Sequence, residues 1–487
     1  MYNRGMNQQF EKKELKKKSE NLSDWYTDVI LKAELADYAP VKGTMVIRPY
    51  GYALWEAIQE IFNRMMRTRG VENAYFPLFI PHSLLEKEKE HVEGFSPQLA
   101  LVTIGGGEKL KDPLVVRPTS ETIMYAMYAK WVHSWRDLPI LINQWNNVVR
   151  WEKRTYLFLR TTEFLWQEGH TAHETEKEAI EMALSAFEWY RQVFEDYLAI
   201  PVYQGIKSAA EKFAGAKTTY TNEALMPDGK ALQSATSHNL GQNFSKVFDI
   251  EFATRDGKTD YVWQTSWGLS TRVLGGLFLT HGDDNGIILP PKIAPIQIII
   301  MPIRKKDGDA KILLARGVEL RETLTNSGIR VKIDTREEPS VGRRFNEWEV
   351  KGVPVRLEVG ERELASDTVV LVRRDTGEKV TVARKEIITV VQKLLNDIQK
   401  SLFHNAKKFR DDNTRDAATY EEFKKIMSTT RGFIRAFWCE DAACEAKIKE
   451  ETKASIRCLP LSAKKENGTC IYCGKKAIHR WFFAQSY

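Results

Sequence analysis

The sequence predicts an α+β fold: an antiparallel-sheet core, then a smaller α/β domain, then a short cysteine-bearing α+β module. Three observations carry that expectation. Up to about residue 290, long helical patterns mix with short apolar runs and no strict βαβ rhythm, which suits an antiparallel sheet flanked by helices. At Asp283–Pro295 (DDNGIILPPKIAP) the texture changes, and Pro290, Pro291 and Pro295 stiffen what reads as a linker. All five cysteines fall at 439, 444, 458, 470 and 473, and none precedes them. The expected partition is 1–290, 291–400 and 401–487.

Each element has a local reason. Leu54–Met66 (LWEAIQEIFNRMM) places apolar side chains at helical spacing, and Arg69-Gly70 stops the helix. Pro139–Asn143 and Val148–Trp151 read as strands, Ala179–Leu198 as a second amphipathic helix, and Val247–Ala253 as a further strand. Beyond the linker, strands are expected at Ile296–Met301, Arg330–Ile333 and Val355–Val359, and helices at Ala310–Asn326 and Val341–Val350. Val369–Arg373 and Lys379–Ala383 should form a hairpin, followed by a helix from Lys385. From 404 a Lys/Glu-rich helical stretch leads into the cysteine module.

Composition narrows the class. The chain has 487 residues and 56.1 kDa, too much for one compact core. Mean hydropathy is −0.41, and no apolar run approaches the roughly eighteen residues of a membrane span, so an integral membrane protein is excluded. MYNRGMNQQFEKKELKKK has no apolar stretch behind its charges, so a reducing cytoplasm is the expected compartment. Lys+Arg exceed Asp+Glu by 72 − 65 = +7, compatible with a polyanionic partner. The Glu11–Lys18 stretch reads as a solvated helix face.

Cys439-x4-Cys444 and Cys470-x2-Cys473 form two short-spaced pairs, the grouping of a four-thiolate Zn2+ site. Disulfides are disfavoured in a reducing compartment, and unrelated buried thiols would not cluster in this way. Cys458 lies between the pairs and reads as a packed free thiol. Four thiolates leave no open coordination position, so such a metal would fold the module and do no chemistry.

Arg150-Trp-Glu152 reads as a strand end followed by the turn Lys153–Leu157, with a second strand beginning near Phe158-Leu-Arg160. An arginine and a carboxylate two apart on a strand share a face. Gly268-Leu-Ser270-Thr-Arg272 presents another arginine at a strand-to-helix entry. Guanidinium groups can neutralise phosphates and stack on a base. Neither a GxxxxGK[ST] loop nor a GxGxxG after a strand is present, so any nucleotide would be held by arginines on an antiparallel sheet. A single Arg-x-Glu is ordinarily a surface ion pair; the set decides.

That set resembles class II aminoacyl-tRNA synthetases. Gly51-Tyr with its following helix and Ala74-Tyr-Phe-Pro77 looks like motif 1, Arg150–Arg160 like motif 2, and Gly268–Arg272 with Leu274-Gly-Gly276 like motif 3. Longer blocks closely resemble prolyl-tRNA synthetase: Arg117-Pro-Thr-Ser-Glu121, Phe164–His173 (FLWQEGHTAH), Ala235–Phe244 (ATSHNLGQNF) and Trp348–Arg356 (WEVKGVPVR). The resemblance runs from about residue 20 to Tyr487.

The resemblance implies a class II antiparallel-sheet catalytic core, an α/β anticodon-binding domain and a small zinc-binding α+β domain. It implies ATP-dependent ligation of L-proline to tRNA(Pro) through a prolyl-adenylate, with Mg2+ accompanying ATP, by a cytoplasmic homodimer. Arg150, Glu152 and Arg272 would be catalytic. Phe95, Thr119, Glu121, Arg150, Trp166, Glu168, His170, His238 and Ser266 would bind proline, Thr119 and Glu121 at its amine. Arg150, Glu152, Phe158, Arg160, Thr161, Gln233, Thr236, Ser270 and Arg272 would bind ATP, with adenine between Phe158 and Arg272. Glu349, Arg356, Arg362 and Glu363 would read anticodon guanines, and Cys439, Cys444, Cys470 and Cys473 would hold zinc. An apolar pocket of this size separates proline from smaller residues by only about 1–3 kcal/mol per methylene, so mischarging is expected.

Bacterial-type relatives carry an editing domain between motifs 2 and 3, for which 174–232 leaves no room, so the archaeal/eukaryotic-like type is implied. A non-catalytic paralogue would be expected to lose motif arginines, whereas Arg150, Glu152 and Arg272 are all present. Two departures stand out: Thr162, where related sequences often have arginine, a change expected to alter motif 2 loop contacts with the tRNA acceptor end, and Gly360-Glu-Arg-Glu in place of a Gly-Pro-basic-acidic turn. The aromatic tail Trp481–Tyr487 is expected to dock on the catalytic domain.

Overall fold

The computed structural model describes residues 15–86, 99–304 and 310–487. They form two compact units. One comprises 38–46, 53–280 and 399–487; the other comprises the described residues up to 37, then 47–52 and 281–398.

The larger unit is built on eleven strands: β1 (Glu72–Asn73), β2 (Ile140–Val149), β3 (Glu163–His173), β4 (Tyr203–Ile206), β5 (Thr218–Leu225), β6 (Ala231–Gly241), β7 (Trp263–Ser270), β8 (Thr414–Asp416), β9 (Phe433–Phe437), β10 (Ala454–Pro460) and β11 (Arg480–Gln485). Their order is β8-β9-β11-β10-β4-β5-β6-β7-β3-β2-β1. Every neighbouring pair is antiparallel except β8/β9 and β1/β2 at the two edges. The predicted antiparallel core is therefore present, and one sheet continues through the cysteine-bearing segment. The join is β10 on β4, with Leu459 opposite Ile206 and Pro460 opposite Gly205. A Cβ on Gly205 would lie 2.3 Å from the Leu459 carbonyl oxygen, so the approach requires glycine.

The helix Glu176–Gln192 covers one face. Thr175 and Glu178 close a capping box at its start, and Ala179, Ala183, Phe187 and Tyr190 are buried. Tyr190 donates to Gln167 Oε1 at 2.6 Å and stacks on Phe62 with centroids 5.1 Å apart, fixing helix and sheet together. Gly169 sits under the Trp267 ring, where a Cβ would come within 2.2 Å.

Several local expectations are corrected. The two strands expected at Pro139–Asn143 and Val148–Trp151 are one ten-residue strand, because Gln144 and Asn146 stay in register opposite β3. The strand ends at Val149, so Arg150 and Glu152 lie beyond it and strand alternation does not set their directions. Phe158 has φ 62°, placing the expected second strand start inside a turn; that strand begins at Glu163. Val247–Ala253 is the end of the short helix Asn243–Val247 followed by the strand Glu251–Ala253. The stretch after 404 ends its helix at Asp412 and continues through β8, the helix Tyr420–Ser428 and β9.

In the smaller unit a five-stranded sheet has the order Val331–Ile333, Ile298–Ile303, Val355–Gly360, Thr368–Arg373, Lys379–Ala383. Its first two pairings are parallel and its last two antiparallel. Helices Ala310–Asn326 and Val341–Val350 stand where the periodicity places them. The expected linker is packed: Ile287 and Leu289 are buried, their N–H groups donate to Val350 and Gly352 carbonyls, and Asp283 pairs with Arg374 at 2.6 Å. Among the described residues no helix is long and apolar enough to cross a membrane.

Candidate active site

A cleft of about 290 Å³ opens on the face of β3, β5, β6 and β7. Strand alternation puts Trp166, Glu168 and His170 of β3 on one side of the sheet, toward the cleft. Register places His170 opposite Ser266, and Ser266 opposite His238, so three strands each supply one wall residue at the same level.

Acceptor groups converge at one end. Glu168 is buried and accepts from the Asn146 amide at 2.6 Å, the Ser120 N–H at 3.2 Å and His170 Nε2 at 3.0 Å. The other His170 nitrogen, Nδ1, lies 3.1 Å from the Tyr125 hydroxyl. Burial opposes charging the Glu168 carboxylate, yet these donors hold it well below the usual range, and the same pairing raises His170 against its own burial. Glu121 is buried and accepts from the Thr119 hydroxyl; among the described residues no side-chain cation pairs with it. Glu121, Glu168 and His170 offer ligand atoms within 4.8 Å of one another. Because both His170 nitrogens are engaged, this group suits an ammonium better than a metal ion. Ser266 Oγ is buried in the wall without a partner among the described residues.

Cations begin in the middle of the cleft with Arg150, whose charge is favoured by Glu121 and Glu168, and gather toward the other end. Arg150 donates to the Pro118 carbonyl at 3.1 Å, and its guanidinium stands 5.2 Å from the Trp166 ring centroid. Arg272 begins the helix after β7 and donates to the Leu159 carbonyl at 3.0 Å. Burial, then the charges of Arg150 and Arg160, push Arg272 down to about 10, still fully protonated at neutral pH. Arg160 pairs with Glu152 at 2.9 Å. The cleft is thus bipolar, with buried carboxylates at one end and clustered guanidiniums at the other.

Profiles of known families cover most of the chain. "tRNA synthetase class II core domain (G, H, P, S and T)" matches 103–280, "Anticodon binding domain" matches 297–394, and "Prolyl-tRNA synthetase, C-terminal" matches 420–487. The chain is 53% identical to a proline–tRNA ligase of Natranaerobius thermophilus over 98% of both chains. It is 52% identical to a proline–tRNA ligase 2 of Bacillus cereus over 97% of this chain and 98% of that one. A proline–tRNA ligase of Amoebophilus asiaticus is 50% identical over 98% of this chain and 100% of its own. The chain belongs to the prolyl-tRNA synthetase family.

Of the residues that the family resemblance implied, Thr119, Glu121, Arg150, Trp166, Glu168, His170, Gln233, Thr236, His238, Ser266, Ser270 and Arg272 all line this one cleft. Glu152 and Arg160 are not among its lining residues; they pair with each other near Arg272, on whose charge both act. Phe158 is buried edge-on to Phe278, 5.5 Å between centroids, and Thr161 is buried with its hydroxyl donating to the Glu163 carbonyl. Phe95 lies outside the described residues. Thr162 is 3% exposed; its N–H donates to the Gly43 carbonyl and its side chain abuts Gly43.

In the smaller unit Arg356 donates to Glu358 at 2.8 Å and stacks over Phe345, while Arg362 is exposed. Glu363 caps its own helix by accepting the Gly360 N–H at 2.9 Å, and Glu349 lies in the last turn of the helix Val341–Val350. The four thiols of Cys439, Cys444, Cys470 and Cys473 converge, with Cys439 Sγ 3.6 Å from both Cys444 Sγ and Cys473 Sγ. Sulfurs about 2.3 Å from a tetrahedral cation lie roughly 3.8 Å apart, so the donor set fits one. Cys458 is buried on β10 away from that set, as expected of a packed thiol.

Sequence reasoning missed Glu211, Phe213 and Thr219 in the cleft, and Ser120, Gln144 and Asn146 behind Glu168. Gln144 and Asn146 carried a usable signal: they belong to a polar run, Asn143–Asn147 interrupted by Trp145, in the middle of a strand with apolar ends, and polar groups buried there must face partners.

His238 supplies a pH test. Thr219 Oγ1 lies 2.9 Å from its Nδ1 and Phe213 stacks over its ring at 4.7 Å; burial first, then the nearby His170, push its pKa from 6.5 down to about 3. Between those values the unfolded chain binds a proton that the folded site refuses, so stability is full above the unfolded pKa and declines on acidification. By about pH 5 the loss is roughly 1–2 kcal/mol. Urea midpoints near neutrality and near pH 5 should show this loss, and His238→Gln should shrink it; an undiminished loss in the variant would contradict the assignment.

Proposed function

We propose that this chain joins proline to the 3′ end of its tRNA in two steps, using ATP. The reading rests above all on the bipolar cleft. A proline zwitterion bound beside a nucleotide needs carboxylates at its ammonium end and cations where its carboxylate meets the phosphates.

Thr119 and Glu121 receive the secondary ammonium, with Glu168 and His170 fixed behind them, while Trp166, His238 and Ser266 wall the ring. Arg150 lies between the two charge poles and neutralises both the substrate carboxylate and the α-phosphate. The carboxylate oxygen attacks the α-phosphorus, the bond to the bridging oxygen breaks, and pyrophosphate departs with that electron pair. No enzyme nucleophile takes part, so catalysis is positioning and charge stabilisation. Adenine lies between Phe158 and Arg272, Glu152 and Arg160 orient the nucleotide with Thr161, Gln233, Thr236 and Ser270, and ATP arrives as its Mg2+ complex. The 3′-terminal ribose hydroxyl of tRNA then displaces AMP from the prolyl-adenylate.

In this reading the segments 1–290, 291–400 and 401–487 serve catalysis, anticodon binding and metal-dependent folding. Glu349, Arg356 and Arg362 meet the anticodon; Glu363, already engaged as a cap, contributes less. Zn2+ at the four thiolates supplies a closed structural cross-link. The chain works in the cytoplasm as a homodimer.

The test is amino-acid-dependent ATP–pyrophosphate exchange with each of the twenty amino acids. Proline should support exchange most strongly, with weak activity for alanine. Exchange with a different amino acid and none with proline would refute the assignment.

A further inference from the structure

The segment Lys207–Phe213 links β4 to β5 and brings Glu211 and Phe213 into the cleft. Phe213 stacks over His238, and its N–H donates to Thr219 Oγ1 at 3.0 Å. The far side of this segment is held by the C-terminal cysteine-bearing region. Its base is the β10–β4 pairing at Gly205 and Ile206. Lys207 Nζ donates to Glu223 Oε1 at 2.7 Å, and the other Glu223 oxygen accepts from Arg457 of β10 at 2.7 and 3.0 Å. All three side chains are almost wholly buried. Ser208 Oγ donates to Glu445 Oε1 at 2.9 Å and also accepts the Glu211 N–H at 3.2 Å. Glu445 sits on the helix Ala442–Thr452, which carries Cys444, and on the same helix Lys449 pairs with Glu211 at 2.9 Å.

We propose that the C-terminal region positions one wall of the amino-acid pocket, with Ser208 and Glu445 as positioning residues that set where Glu211 and Phe213 stand. The proposal rests on the reading of the cleft as a proline site. Three considerations separate it from mere packing. The anchors bracket only the segment that supplies the wall. Ser208 serves both as the tie to Glu445 and as the acceptor that shapes the turn to Glu211. The guanidinium end of the cleft, built on the 150–160 turn and the helix after β7, receives none of these contacts. Disturbing the anchor should therefore reach proline and spare ATP. The exposed Lys449–Glu211 pair adds little, as surface pairs do.

The experiment measures KM for proline and for ATP by pyrophosphate exchange in the full chain, for Ser208→Ala, Glu445→Ala and the double variant. Each single change should raise the KM for proline about tenfold, inside the roughly hundredfold cost of an ångström-scale misplacement. KM for ATP and kcat should stay within about twofold of wild type. The double variant should be no worse than the weaker single, since both remove one contact. Amide hydrogen exchange across Lys207–Phe213 should quicken in all three. Unchanged KM for proline, a parallel rise in KM for ATP, or additive losses in the double variant would each overturn the proposal. If Glu445→Ala does not fold, Ser208→Ala, which leaves the thiol-bearing helix unaltered in sequence, decides alone. A wild-type chain without proline-dependent exchange would overturn the reading of the site and the proposal with it; an active wild type with insensitive variants overturns the proposal alone.

Discussion

Arg150→Ala is expected to depress proline-dependent pyrophosphate exchange by about a thousandfold, at the upper end of what a single preorganised charge contributes in a transition state. Arg150 lies between the cleft's two charge poles. Burial lowers its pKa from the usual arginine value, and the charges of Glu121, Glu168 and Glu152 offset part of that by favouring its protonated form. In the attack step the α-phosphate passes through a five-coordinate state whose equatorial oxygens carry more charge than in bound ATP, so a fixed guanidinium gains most there. The loss should appear in kcat, with the KM for each substrate changed much less. Arg150→Lys should recover little, because an ammonium cannot bridge two oxyanions in one plane. The fold should survive: the side chain lines the cleft, and its hydrogen bond to the Pro118 carbonyl goes to a neutral acceptor, so its removal strands no buried charge there. Exchange within about tenfold of wild type in a folded Arg150→Ala protein would remove the central step of the mechanism.

How much of this was legible in the sequence depends on the kind of signal. Helices with strong periodicity and clear stops, Ala310–Asn326 and Val341–Val350, stand at their expected bounds because local pattern and tertiary burial agree there. The thiol cluster was legible because short-range spacing alone brings two pairs within reach of one ion. Arg150, Glu168 and His238 were legible only as parts of long blocks that resemble a family; singly, each is an ordinary polar residue. Phe158 misled, since an aromatic before Leu-Arg reads as strand, whereas its left-handed φ of 62° puts it in a turn. Glu211 and Phe213 were illegible. They sit in a loop with no periodicity, and what places them in the cleft is a strand and a helix more than two hundred residues away.

The buried triad behind that loop carries the largest expected stability effect. Glu223 lies 16 residues from Lys207 and 234 from Arg457, so nothing in the sequence announces it. In the fold its carboxylate is fully buried and is the shared partner of two almost fully buried cations. Burial works against the Glu223 charge, and the nearby Arg457 and Lys207 more than offset it, holding its pKa below the usual range. Glu223→Ala leaves Lys207 and Arg457 facing each other without a counter-charge, and should cost about 3–5 kcal/mol, read as a fall in the urea midpoint. Glu223→Gln should cost less, because the amide oxygen still accepts a hydrogen bond although the charge is gone. The triple change Glu223→Leu, Lys207→Met, Arg457→Met should recover much of the loss, since it removes the desolvation cost together with the charges. A cost below about 1 kcal/mol for Glu223→Ala would mean that water reaches these cations and that the triad is not the dry junction its burial describes. Recovery in the triple variant with normal proline KM would separate the two roles of the junction: stability from the triad, and pocket geometry from the Ser208–Glu445 contact beside it.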